Sequence, residues 1–152
     1  MLKITIVCVG NIKDKFFQEA QDEYIKRISK YASVVVKEIK EFNHLNSVNQ
    51  IIEQESELIL ETVKSKYILL DICGIKLDSV KFSKYIEDFC NMSGELTFVI
   101  GGSYGVSEKV KMQAYKRISF SDMTFPHRLF RIMLLEQIYR AFCISNNTPY
   151  HK

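Results

Sequence analysis

The chain has 152 residues, 47% of them hydrophobic and 26% charged, with a formal net charge of +3 at pH 7. Those values fit a single globular domain over residues 1–152; with six Gly, two Pro and no repeated block, they exclude disordered, collagen-like and coiled-coil chains. A domain this long buries about 70% of its unfolded surface, so it needs no disulfide or metal to hold it together.

LKITIVCV (2–9) is a predicted strand, closed by Gly10. A helix follows over about 14–30, where Phe17, Ala20, Tyr24, Ile25 and Ile28 recur at helical spacing and Asp14 serves as a cap or first-turn acid. ASVVVKEIKEF (32–42) holds the second strand. A second helix spans about 47–64, with Ile51, Ile52, Leu58 and Ile59 on its inner face. YILLDI (67–72) is the third strand, ended by the turn-prone Cys73-Gly74. A helix over about 79–92 leads to a fourth strand, ELTFVI (95–100), which runs into Gly101-Gly102. A short helix near 107–116, a fifth strand at 117–121 and a final helix over about 126–144 complete the chain, with Pro126 suited to the last helix's first turn.

Strands and helices alternating at this spacing predict an α/β fold, a parallel sheet flanked by helices on both faces. Handedness rules and the rarity of threaded chains lead to an ordinary doubly wound sheet. No window approaches the roughly 18 apolar residues of a spanning helix, and MLKITIVCVG is broken by Lys3 and Thr5. No membrane association and a cytoplasmic location are therefore expected. Cys8, Cys73, Cys90 and Cys143 form no C-x-x-C and read as buried free thiols. His44, His127 and His151 make no H-x-x-x-H pattern, so no metal site is expected.

Charge is unevenly divided. Residues 107–152 carry 8 Lys+Arg against 3 Asp+Glu, whereas residues 1–106 carry 13 against 15. The basic last third suits a surface facing a polyanion, or simply a solvated helix face. In open parallel sheets, ligands bind beyond the carboxyl ends of the strands. Those ends are Gly10-Asn11, residues 71–74, GGSYG at 101–105 and SFSDMTFPH at 119–127. GGSYG lets backbone approach a ligand before a helix N-terminus that favours negative charge, or it is only a tight turn. In SFSDMTFPH, Ser121, Asp122 and Thr124 are candidate helix caps, while Phe120, Met123 and Phe125 would suit the walls around a flat ligand. The final helix carries Arg128, Arg131, Glu136 and Arg140, the last two spaced for a surface ion pair. The ending NNTPYHK is either a fraying tail or an active-site strap.

Taken together, LLDICGIKL (69–77), TFVIGGSYGVS (97–107), SFSDMTFPHRLFRIMLLEQIYRAF (119–142), PYHK (149–152) and VGNIKDKFFQEAQDEYIKR (9–27) resemble the bacterial RlmH family from end to end. Its members are SPOUT-class methyltransferases that modify a pseudouridine of large-subunit (23S) ribosomal RNA. The resemblance implies a SPOUT fold with a C-terminal trefoil knot, a homodimer, and S-adenosylmethionine as methyl donor. Leu70, Gly101, Phe120, Ser121, Asp122, Met123, Thr124 and Phe125 match the family's cofactor positions. Arg140, Tyr150 and His151 match its catalytic side, with His151 the candidate base, and His127, Arg128 and Lys152 face RNA. Ser103 and Tyr104 stand where members often carry an acidic or small polar residue, and Asn11 where they are often basic. The ribosome is the expected partner, read through RNA shape. A SPOUT-like enzyme acting on another base or on tRNA, a non-catalytic ribosome- or RNA-binding module, and a generic nucleotide-binding domain are the competing readings.

Overall fold

The structure, a computed structural model, describes residues 1–152. The elements run β1 (Leu2–Val9), α1 (Lys15–Ile28), β2 (Ala32–Ile39), α2 (Val48–Thr62), β3 (Tyr67–Lys76), α3 (Ser79–Met92), β4 (Glu95–Ile100), α4 (Glu108–Gln113), β5 (Lys116–Ser119) and α5 (His127–Ser145). The five strands form one sheet in the order β2-β1-β4-β3-β5, and every pair is parallel. The predicted parallel α/β architecture is therefore what the chain adopts.

Period-2 alternation sorts the strand residues between two faces. Ile4, Ile6 and Cys8 of β1, Leu96, Phe98 and Ile100 of β4 and Ile68 of β3 point to one face, with Phe82, Ile86, Leu134 and Ile138 packed over them. Val7, Val9, Leu69 and Val99 point to the other, beneath Ile59 of α2 and Val110 of α4. Both faces are thus covered, which explains why β1 and β4 read as almost continuous apolar runs. Helix α5 packs against both α1 and α3 on the first face. No helix is long and apolar enough to cross a membrane.

Several local expectations change. Asp14 sits at the N-cap of α1 but makes no side-chain cap bond; its carbonyl accepts from the Phe17 and Gln18 N–H groups instead. Ser121, Asp122 and Thr124 cap nothing, because α5 begins at His127 and Pro126 occupies its N-cap. Of the four cysteines, Cys8 and Cys143 are buried, while Cys90 is half-buried and Cys73 exposed. β3 does not end at Cys73-Gly74 but runs on to Lys76. It shifts register after Leu70 and resumes pairing with β5 at Ile75 and Lys76. Gly74 crosses so close to β5 that a Cβ there would lie 2.6 Å from the Arg117 carbonyl and 2.7 Å from the Ile118 nitrogen.

Candidate active site

Because β4, β3 and β5 are adjacent and parallel, their carboxyl ends open on one edge. There they surround a cavity of about 740 Å³, ample for a nucleoside-sized ligand. Leu70, Gly101, Phe120, Ser121, Met123, Thr124, Phe125 and His127 all line it. Its floor comes from the last apolar residues of two strands, Ile100 and Ile118, and one wall from Phe130, whose ring centroid is 4.9 Å from that of Phe120. Phe120 also meets Phe82 of α3 edge-on at 5.9 Å, so the 119–126 segment is pinned between α3 and α5.

The glycine loop forms a cradle. Gly102 and Gly105 close on each other through an isolated antiparallel bridge, with Gly105 at φ +86°. A Cβ on Gly101 would lie 2.7 Å from Val106 Cγ1, and one on Gly102 2.7 Å from Glu55 Oε1. Glu55, 2% exposed, stands behind the loop; its Oε2 accepts from the Phe42 N–H at 3.0 Å, and its Oε1 has no hydrogen-bond partner. Burial raises its pKa. Next to it, Ser56 Oγ accepts from the Ser107 N–H at 2.9 Å, fixing the start of α4. Asp71 adds the cavity's one carboxylate: Oδ1 accepts from the Cys73 N–H at 3.2 Å, and Oδ2 is buried without a hydrogen bond, 3.5 Å from Arg117 Nη1. Asp122 turns away to pair with Lys76 and does not line the cavity.

The first turn of α5 is fastened to the ends of β1 and β2. Arg128 Nε donates to the Asn11 carbonyl at 2.7 Å, and its Nη2 lies 3.6 Å from Glu41. His127 Nε2 lies 3.4 Å from the same carboxylate. Burial, then the Arg128 charge, hold the His127 pKa below its ordinary value, so the ring is neutral near pH 7. Arg131, one turn on, donates to Glu38 at 2.8 Å, Gln21 at 3.1 Å and the Gly10 carbonyl at 3.1 Å.

Arg140, Tyr150 and His151 form a separate cluster. The tail folds back along α5: Tyr150 Oη donates to Glu136 Oε2 at 2.8 Å, and Arg140 Nε to Glu136 Oε1 at 2.7 Å. Arg140 Nη1 reaches His151 Nδ1 at 3.1 Å. Glu136, which its i,i+4 spacing makes look like half of a surface pair, is thus the hub of the cluster. His151 lines a second cavity of about 540 Å³, which shares Ile118, Phe120, Ser121 and Phe125 with the first. The two groups lie on either side of that shared segment. Lys152 is exposed beyond them.

A family model described as "Predicted SPOUT methyltransferase" matches residues 2–151. The chain is 45% identical to "Ribosomal RNA large subunit methyltransferase H 1" of Clostridium perfringens (strain SM101 / Type A), over 99% of this chain and 100% of that one. It is 47% identical to "Ribosomal RNA large subunit methyltransferase H" of Mycoplasmopsis agalactiae, over 100% of both chains. Among solved structures it is similar to a probable methylase family protein from Haemophilus influenzae Rd KW20, with a TM-score of 0.52 at 12% identity, covering 95% of this chain and 66% of that one. That likeness concerns the fold.

Proposed function

Since the chain belongs to the SPOUT methyltransferase family, we infer that it is an S-adenosylmethionine-dependent methyltransferase of large-subunit ribosomal RNA, acting on N3 of a pseudouridine. Relatives at 45% and 47% identity over their full lengths carry that ribosomal RNA methyltransferase name. The observation that carries the reading is the single cavity into which the glycine loop and the 120–125 segment both open.

The residues present fit the methyl donor. Side chains at Gly101 and Gly102 would strike Val106 and Glu55, so glycine there lets the loop fold tightly at the cavity's edge, and Leu70, Ile100, Ile118, Phe120 and Phe125 offer apolar walls to an adenine. Leu70, Gly101, Phe120, Ser121, Met123, Thr124 and Phe125 would hold it, whereas Asp122, expected from the sequence, lies outside the cavity. The Asp71 carboxylate suits a cationic or hydroxyl-bearing part of the ligand. When bound, S-adenosylmethionine supplies a sulfonium-activated methyl, which N3 takes as the carbon–sulfur bond breaks, leaving S-adenosylhomocysteine. No metal is required for that displacement; alignment of nucleophile and methyl group is.

Arg140, Tyr150 and His151 act on the base, and His127, Arg128 and Lys152 hold RNA. A homodimer belongs to this reading, with the tail of one subunit serving the donor cavity of its partner, because Arg140, Tyr150 and His151 do not line the cavity of their own subunit. The C-terminal knot belongs to the same reading, as do a cytoplasmic location and an assembled ribosomal particle as substrate. The test is transfer from labelled S-adenosylmethionine to ribosomes lacking the modification, with mapping of the product base. Label on N3 of one pseudouridine is expected. Label on another base or on tRNA would favour a different SPOUT activity, and donor binding absent from calorimetry would leave only an RNA-binding module.

A further inference from the structure

We propose that His151 serves this reaction as a hydrogen-bond donor through Nε2–H, and that the proton on N3 leaves to water, not to His151. The proposal rests on the methyltransferase reading above and concerns the direction of one hydrogen bond.

A guanidinium has donors only. With Arg140 Nη1 at 3.1 Å from His151 Nδ1, that ring nitrogen must be the acceptor. A neutral imidazole accepting at Nδ1 carries its single proton on Nε2. The alternatives both fail at this contact. The Nδ1–H tautomer and the imidazolium would each set one N–H against another, and the imidazolium would add a second positive charge.

Arg140 cannot readily step aside. Its Nε and Nη2 both lie 2.7 Å from Glu136 Oε1, and its guanidinium carbon sits 4.7 Å from the centroid of the Tyr150 ring. Tyr150 in turn donates to the other oxygen of Glu136. Glu136 is therefore a positioning residue: through Arg140 it fixes which nitrogen of His151 is protonated. Asp78 also lines the cavity reached by His151, but its Oδ1 is taken by the Lys81 N–H at 2.8 Å.

The chemistry of an imide makes a donor useful. N3 of a pyrimidine dione lies between two carbonyls, and the negative charge left by deprotonation spreads onto their oxygens. A fixed donor to one of those oxygens stabilises the anion and lowers the imide pKa. Water takes the proton beforehand; the N3 lone pair of the anion then forms the new N–C bond. His151 loses and gains nothing.

Two measurements test this on the full-length protein. Nitrogen-15 histidine NMR at pH 8, with the signals assigned by comparison with H151Q, should show His151 as the neutral Nε2–H tautomer. In single-turnover methylation of unmodified ribosomes, H151Q, which keeps an N–H near the Nε2 position but has no titratable base, should stay within about tenfold of wild type. H151A should fall by about 100-fold or more. An Nδ1–H tautomer, or an H151Q rate as low as that of H151A, overturns the proposal. Absence of transfer by the wild-type protein would instead overturn the methyltransferase reading, and the tautomer measurement would stand independently of it.

Discussion

Arg131 places a guanidinium at 1% exposure inside the apolar packing of α5, where it meets Glu38, Gln21 and the Gly10 carbonyl. Glu38 is itself 42% exposed in its side chain, so the pair is lopsided. Removing the acid strands a buried cation, whereas removing the cation leaves an acid that water can solvate. Glu38→Ala should therefore lower the unfolding free energy by about 3 kcal/mol, and Arg131→Met by only about 1 kcal/mol. Urea denaturation midpoints measure both; the reverse order would show that the guanidinium is stabilised by its other partners alone. Helical periodicity cannot announce such a residue, because an arginine in a helix reads as solvent-facing until its neighbours in space are known.

At the level of the element, the join between β3 and β5 decides the shape of the cavity proposed for the donor. Leu70 lines the cavity just before the register shift of β3 and Asp71 within it, and Ile118 and Ser119 line it at the end of β5. Gly74 lets the two backbones approach, since any side chain there would strike the Arg117–Ile118 peptide. Gly74→Ala should cost about 2 kcal/mol of stability through forced separation of the strands. It should also weaken S-adenosylmethionine binding in calorimetry, although Gly74 does not itself line the cavity. Undiminished affinity in a folded Gly74→Ala protein would mean that the β3 end is free to readjust. From sequence, Cys73-Gly74 reads as a turn closing the strand; close approach of two strands requires the same residue for a different reason.

Across the whole molecule, much of the basic character of residues 107–152 is cancelled by pairing. Arg117, Arg128 and Arg131 lie against Asp71, Glu41 and Glu38 of the acidic first part, and Lys111 and Arg140 against Glu108 and Glu136. The face left for RNA is smaller than the composition suggests, which favours recognition of a shaped particle over grip on a bare strand. The tail is similarly light in structural terms: Tyr150 and His151 touch the rest of the fold mainly through Glu136, Arg140 and Tyr139. Deleting residues 149–152 should lower Tm by only about 3 °C, for about 1 kcal/mol of lost contacts. Methyl transfer to ribosomes should fall by about 100-fold or more. Differential scanning calorimetry beside the labelled-donor assay separates the two effects; a large fall in Tm would make the tail a structural strap.

The amino-acid sequence by itself determined the alternation of five strands and five helices, the burial of the sheet on both faces and the carboxyl edge as the candidate site. Each of these follows from local periodicity, the two-sided apolar runs of β1 and β4, and the positions of Gly101 and Pro126. Only the tertiary structure decided that β3 lies between β4 and β5, so that Leu70, Gly101 and the 120–125 segment share one cavity. It also decided that Glu136 gathers Arg140 and Tyr150, and that Arg140 Nη1 faces His151 Nδ1. The reason is physical: strand order, the meeting of distant side chains and the direction of a hydrogen bond are set by contacts between residues far apart in the chain, and no repeat of 2 or 3.6 residues encodes them.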